Sequence, residues 1–117
     1  MIINAKIDDI EIMIEDHGIL TAMIYITSSE GWSCGIGGYA FDYTARKEDS
    51  EYRKGCPYMA GVIRGIMEVV GVRNWSDLKG KYIRIDDKDQ KGPISIIGNI
   101  IEDKWFDIRT YIEEYEV

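Results

Sequence analysis

The residues of this chain best suited to chemistry are cations set among rings. Arg64, Lys81, Arg84, Lys104 and Arg109 lie near Tyr82, Trp105 and Phe106 in sequence. Arginine presents a planar fork that matches phosphate oxygens in pairs, and aromatic faces stack on bases. Asn99 adds an amide able to read a base edge or a ribose hydroxyl. The candidate ligand-binding residues are therefore Arg64, Asn99, Arg109, Tyr82, Arg84, Trp105 and Phe106, and the ligand they suit is a small anionic nucleotide. Each has a plainer alternative. Arg64 can serve the surface of a helix, Trp105 and Phe106 can close a core, and Arg109 can pair with Glu113 at helical spacing.

Other motifs offer less. Gly35-Ile36-Gly37-Gly38-Tyr39-Ala40 imitates a dinucleotide fingerprint, but that motif works in a turn that opens a helix, and here Phe41-Asp42-Tyr43 continues as a strand. Asp87-Lys88-Asp89-Gln90-Lys91-Gly92 begins like a calcium loop, yet Lys91 stands at a ligand position and Gly98 where the bidentate glutamate belongs. His17 and Cys34 are the pieces of a nucleophile and base, with nothing in the sequence to bring them together. The carboxylates are scattered along strand exteriors and the C-terminal segment. The expectation is a binding protein and not an enzyme, with no catalytic residue, metal or cofactor.

Length and charge narrow the class. At 117 residues, 45% hydrophobic and 30% charged, the chain is the size and composition of one globular domain, residues 1–117. A net charge of −7 repels a phosphate backbone over the whole surface and disfavours duplex DNA, while leaving room for a small anion at a local site. Apolar runs of four or five residues are too short for a membrane span or a signal peptide. Two cysteines, Cys34 and Cys56, make no disulfide framework, so a cytoplasmic protein is expected.

The elements that must position these residues follow from periodicity. Alternating Ile10, Ile12 and Ile14, then Leu20, Ala22, Ile24 and Ile26, mark two half-buried strands joined by a turn at Glu15-Asp16-His17-Gly18. An earlier strand over 3–7 runs into them, and its side-chain parity flips at Asp8-Asp9, which implies a bulge. A third strand spans 32–43. Its Gly35, Gly37 and Gly38 imply that a backbone, a ring or a ligand lies against one face. Residues 44–57 read as a polar loop. From Tyr58 the period becomes helical through Val70 and stops at Gly71, with an apolar face too wide for one sheet. Asn74 caps a short helix at 75–78, and strands at 82–86 and 94–101 form a second hairpin across the 87–92 turn. A short acidic helix begins after Asp107. The fold class is α+β: an antiparallel sheet of about six strands, two helices inserted before the last hairpin, and a short C-terminal helix.

Several segments carry a family resemblance. Glu15-Asp16-His17-Gly18-Ile19-Leu20-Thr21, the glycine strand from Gly35 to Asp42, and Ile63-Arg64-Gly65-Ile66-Met67-Glu68-Val69-Val70-Gly71-Val72 are the first three. Trp75-Ser76-Asp77-Leu78-Lys79-Gly80-Lys81 and Ile97-Gly98-Asn99-Ile100-Ile101-Glu102-Asp103-Lys104-Trp105-Phe106 complete the set. In this order, over most of the chain, it resembles the first type of Thoeris anti-defence protein. That family of phage proteins sequesters cyclic ADP-ribose isomers made by bacterial TIR-domain enzymes, and some members also hold cyclic trinucleotides. The resemblance implies a homo-oligomer, a dimer built through the first helix with a hexamer as its larger grouping, and ligand held between protomers. Arg64 and Asn99 fall inside matching motifs, whereas the loops after Asp86 and Phe106 vary. The competing expectation is an acidic inhibitor that binds a host enzyme or effector directly, for which Glu113, Glu114 and Glu116 would mimic nucleic acid.

Overall fold

Isoleucine at alternate positions draws the first strand across the core. The computed structural model describes residues 1–44, 53–88 and 92–116, and in it β1 spans Ile2–Ile14. Ile3, Ala5 and Ile7 are buried and Asn4, Lys6 and Asp8 exposed. The expected bulge is present: Ile7 pairs with Ile26, and the next pair is Asp9 with Tyr25. One unpaired residue returns Ile10 and Ile12 to the side of the sheet that carries Ala22, Ile24 and Ile26. β2 (Leu20–Ser28) follows a turn in which the Gly18 N–H donates to the Glu15 carbonyl at 2.8 Å.

The third strand is shorter than its alternation suggests. β3 covers Ser33–Gly37, where Gly37 and Gly38 take φ of 123° and 79° and turn the backbone out of the sheet. Two successive glycines of positive φ leave no trace in an alternating pattern, which is why 32–43 reads as one strand. β4 (Asp42–Thr44) then pairs with β5 (Arg53–Gly55) as a separate two-stranded sheet, β4 at the end of the segment read as strand and β5 inside the segment read as loop. Residues 45–52 of that loop, and Asp89, Gln90 and Lys91 of the second turn, lie outside the described residues.

Helix α1 (Met59–Val70) buries Val62, Ile66 and Val69, spaced three and four apart. Gly71 ends it in the left-handed region at φ 93°, and its N–H donates to Met67 O at 2.8 Å. A 3-10 turn at Trp75–Leu78 anchors wholly buried Leu78. β6 (Tyr82–Asp86), β7 (Ile96–Asn99) and β8 (Trp105–Asp107) complete the main sheet, and α2 (Ile108–Glu116) closes the fold. β7 is shorter than the 94–101 strand expected, and β8 was not anticipated, because three residues give no period to detect. The order is β3-β2-β1-β6-β7-β8, every pair antiparallel, so the chain is an α+β fold on a six-stranded antiparallel sheet. Both helices pack on one face of it, around Ile24, Ile26, Ile83, Ile85 and Ile97. Each such side chain contributes about 2 kcal/mol when fully buried. Among the described residues no helix is long and apolar enough to cross a membrane.

Asp107 sits where α2 begins, as expected of a cap. It accepts from the Thr110 hydroxyl at 2.8 Å and from the Ser95 hydroxyl at 3.0 Å. Burial pushes this carboxyl up, but bonds from the Thr110 hydroxyl and N–H, the Ser95 hydroxyl and the charge of Lys88 outweigh it and hold it below the ordinary 3.8. A carboxylate whose folded value is depressed stabilises the fold above its unfolded value and loses that contribution as pH falls through the folded one. Thermal melts should therefore show a decline below about pH 4 that is smaller in Asp107→Asn. An unchanged acid limb in that variant would remove the cap from the account.

Candidate functional site

The structure distributes the seven sequence-predicted residues over both faces of the sheet. Tyr82 and Arg84 alternate with buried Ile83 and Ile85, so they point away from the helices. Gly98 pairs with Arg84 on that outer face and Trp105 with Gly98. The indole lies across the glycine: a Cβ at position 98 would stand 2.5 Å from two of its ring carbons. Arg84 stacks on the same ring, 4.7 Å from its centroid, and donates from Nε to Asn99 O and from Nη2 to Glu102 O, each at 2.7 Å. These contacts hold the β7–β8 turn. Tyr82 is exposed beside them, with the Lys6 ammonium 5.9 Å from its ring centroid.

Asn99 and Phe106 face the helices. The Asn99 amide donates to Val69 O at 2.9 Å, and its carbonyl accepts from the Ile101 and Glu102 N–H groups, both at 2.9 Å. Its polar atoms thus tie the C-terminal end of α1 to the β7–β8 turn. Phe106 lies over Gly65 of α1, where a Cβ would come within 2.5–2.8 Å of the ring. Arg109 is exposed on α2 and borders a 200 Å³ recess with Lys88, Asp86, Asp87, Asp107 and Glu113. Four carboxylates against two cations there oppose an anionic guest.

Two of the seven border cavities of more than 400 Å³: Tyr82 lines a recess of 430 Å³ with Asn4, Lys6 and Asp8, and Arg64 a groove about twice that size. Val62, Ile66 and Val69 turn α1 toward the sheet, which leaves Met59, Ile63 and Met67 on a second apolar side. With Ile12 of β1 and Val72 they wall a groove of 820 Å³, with Arg64, Glu68 and Arg73 at its margins. Arg64 is 82% exposed and, among the described residues, is held by Glu68, its Nε 2.5 Å from Oε1. An exposed pair at this spacing is worth about 0.3–0.5 kcal/mol, so a ligand can recruit the guanidinium at small cost. Methionine thioethers are polarizable and adapt to a flat ring, and two guanidiniums against one carboxylate favour an anion. Arg73 was missed in sequence. Its signal was the stop at Gly71, which sends the chain back along the helix two residues before it.

Beside this groove β1 runs on past its neighbour. Its β6 pairing ends at Lys6, and the last backbone bonds on that edge join Ile7 to Gly80 and Lys81. Beyond Ile7 no strand among the described residues pairs with this edge, where Ile12 is 42% and Ile14 70% exposed. The Ile10 N–H is satisfied by the Asp9 carboxylate at 2.9 Å.

The sequence also offered His17 and Cys34. His17 lies in the β1–β2 turn with Nδ1 3.1 Å from Glu15 Oε2, whereas Cys34 pairs with Ile26, six residues along β2 from Leu20. At about 3.3 Å per residue, that separates them by roughly 20 Å. Burial also pushes the Cys34 thiol up, away from the thiolate a nucleophile needs. Among the described residues no group of three His, Cys, Asp or Glu is placed to hold a metal ion. Compared with known proteins, the chain matches no family model, no curated protein and no solved structure.

Proposed function

We propose that this protein captures a small anionic nucleotide signal in the α1 groove and holds it chemically unchanged. The observation that carries this reading is the groove itself: an apolar wall of 820 Å³ volume edged by Arg64 and Arg73, on a chain of net charge −7. Local guanidiniums on a negative surface select for a small anion over a long one, because a polyanion meets the repulsive field of the whole molecule. The signal class is the cyclic ADP-ribose isomers, with cyclic trinucleotides as further guests, and the role is that of a phage-borne sponge in the cytoplasm of an infected bacterium. Such a role needs tight binding and slow release, which keep free signal below the level its effector senses.

A second copy of the chain is the proposed partner. The edge of β1 beyond Ile7, unpaired among the described residues, and the outer side of α1 adjoin through Ile12, so two copies meeting there would bury both and close the groove over its guest. Dimers of this kind can group further into a hexamer.

The test is to load the protein with a cyclic ADP-ribose isomer, remove free ligand, denature the complex by heat and analyse what is released. Intact signal supports capture. Cleaved signal identifies an enzyme, and no bound signal, with a host protein recovered in its place, favours the acidic inhibitor. Arg64→Ala should lower retention roughly tenfold, the loss of one charge-assisted contact. Its melting temperature should stay within the change expected of about 0.5 kcal/mol, because the side chain is exposed. Full retention by the folded variant would take Arg64 out of the site.

A further inference from the structure

Where the chain turns back past the end of α1, it gathers positive charge. Arg73, Lys79 and Lys81 line a second recess, of 540 Å³, together with Asn74, Ser76 and the single carboxylate of Asp77. Three cations against one carboxylate invert the balance of a chain that has 14 Lys and Arg against 21 Asp and Glu. Its charged donors are a guanidinium and two ammoniums, while the Asn74 amide nitrogen already donates to Asp77 Oδ2 at 3.4 Å and the Ser76 hydroxyl can donate or accept. In the same turn the Trp75 indole N–H is buried with no acceptor among the described residues, though Trp75 does not line the recess.

The backbone under these side chains is anchored. Leu78 is wholly buried, and the Asp77 N–H donates to Asn74 O at 3.0 Å. Gly80 donates to Ile7 O at 2.7 Å, and the Ile7 N–H donates to Lys81 O at 2.8 Å. Lys79 and Lys81 therefore leave a fixed main chain, and an anion that gathers them orders side chains only. Plainer roles cover part of the set. Arg73 complements the negative end of α1, and Lys79 reaches Asp9 at 3.8 Å in a pair where both partners are 62% exposed and screened. Neither role accounts for Lys81 or for the gathering of all three around one shallow, open recess.

We infer that this recess seats a phosphate or diphosphate group. Val72 and Arg73 border both the recess and the α1 groove, so a ligand with a phosphate at one end and a planar ring at the other can occupy the two together. The ring half rests on the function proposed above, whereas the phosphate half stands on the recess alone. No bond is made or broken on the guest.

Calorimetric titration of the whole chain with inorganic pyrophosphate, and separately with ADP, tests this. The wild type should bind pyrophosphate, and Lys79→Gln with Lys81→Gln should weaken that binding at least about tenfold while leaving the thermal melt in place. Arg64→Ala should leave pyrophosphate binding unchanged and weaken ADP. Failure of the wild type to bind pyrophosphate overturns the recess, and so does equal affinity in the lysine variant; ADP binding that still depends on Arg64 would then leave the groove standing. Pyrophosphate binding lost with the lysines, beside ADP binding indifferent to Arg64, keeps the recess and removes the groove.

Discussion

Gly65→Val should destabilise the protein by about 3 kcal/mol, at the upper end of what overpacking a filled site costs. Position 65 is in the interior of α1, where glycine is by itself the poorer residue and alanine would gain about 1 kcal/mol of helix propensity. Packing reverses that preference. A Cβ there meets Phe106 Cζ at 2.5 Å, Cε2 at 2.7 Å and Cε1 at 2.8 Å, distances at which one group must move. The ring has little room to retreat, since Tyr111 lies 5.5 Å away on its flank and β8 fixes its backbone against Ile97. For a domain of this size the loss corresponds to a fall of roughly 12 °C in melting temperature. Shortening the ring in the same molecule, as Gly65→Val with Phe106→Leu, should recover part of it, and the double-mutant cycle measures the coupling. A valine variant that melts like the wild type would contradict the close approach of α1 to β8.

Asn99→Ala should lower the stability of the ligand-free protein by about 2 kcal/mol, or roughly 8 °C. Four hydrogen bonds are lost, the longest of them the 3.5 Å bond from the amide to Val70 O. The most costly is the one to Val69 O, a part-buried carbonyl at the end of α1, because water replaces that partner poorly. The N–H groups of Ile101 and Glu102 are exposed and can be hydrated, so they add less. Asn99→Asp keeps both of those acceptor bonds yet loses the donor and sets a negative charge at the negative end of a helix, so it should melt no higher than the alanine variant. A side chain that served only a ligand would leave the empty protein unchanged. An unaltered melt with reduced nucleotide retention would return Asn99 to the binding site and weaken its assignment as a tie between α1 and the β7–β8 turn.

Both cases show how far local reasoning reached into the site. Residue type and nearness in sequence define the candidate set, and several of its members are also engaged by the fold itself. Arg84 and Trp105 are clamped over Gly98, Asn99 bonds backbone 30 residues away, and Phe106 fills the gap that Gly65 leaves. Nothing in a list of cations and rings separates these uses, because each depends on a partner distant along the chain. The recess of Arg73, Lys79 and Lys81 escaped notice for the same reason: its cations alternate with polar and apolar residues and converge only when the chain folds back under α1.

The amino-acid order by itself determined the long β1–β2 hairpin with its bulge at Asp8-Asp9, the helix that stops at Gly71, the Asp107 cap and the acidic last helix. These are properties of neighbours within a few positions: a side-chain period, a turn residue, a capping oxygen. Tertiary structure alone decided that β3 ends at paired glycines, that a three-residue strand forms the edge of the sheet, and that Arg64 lies on the opposite side of it from Tyr82 and Arg84. Sidedness of that kind is settled by which strand pairs with which and by what the helices cover, and those are long-range contacts that no local pattern encodes.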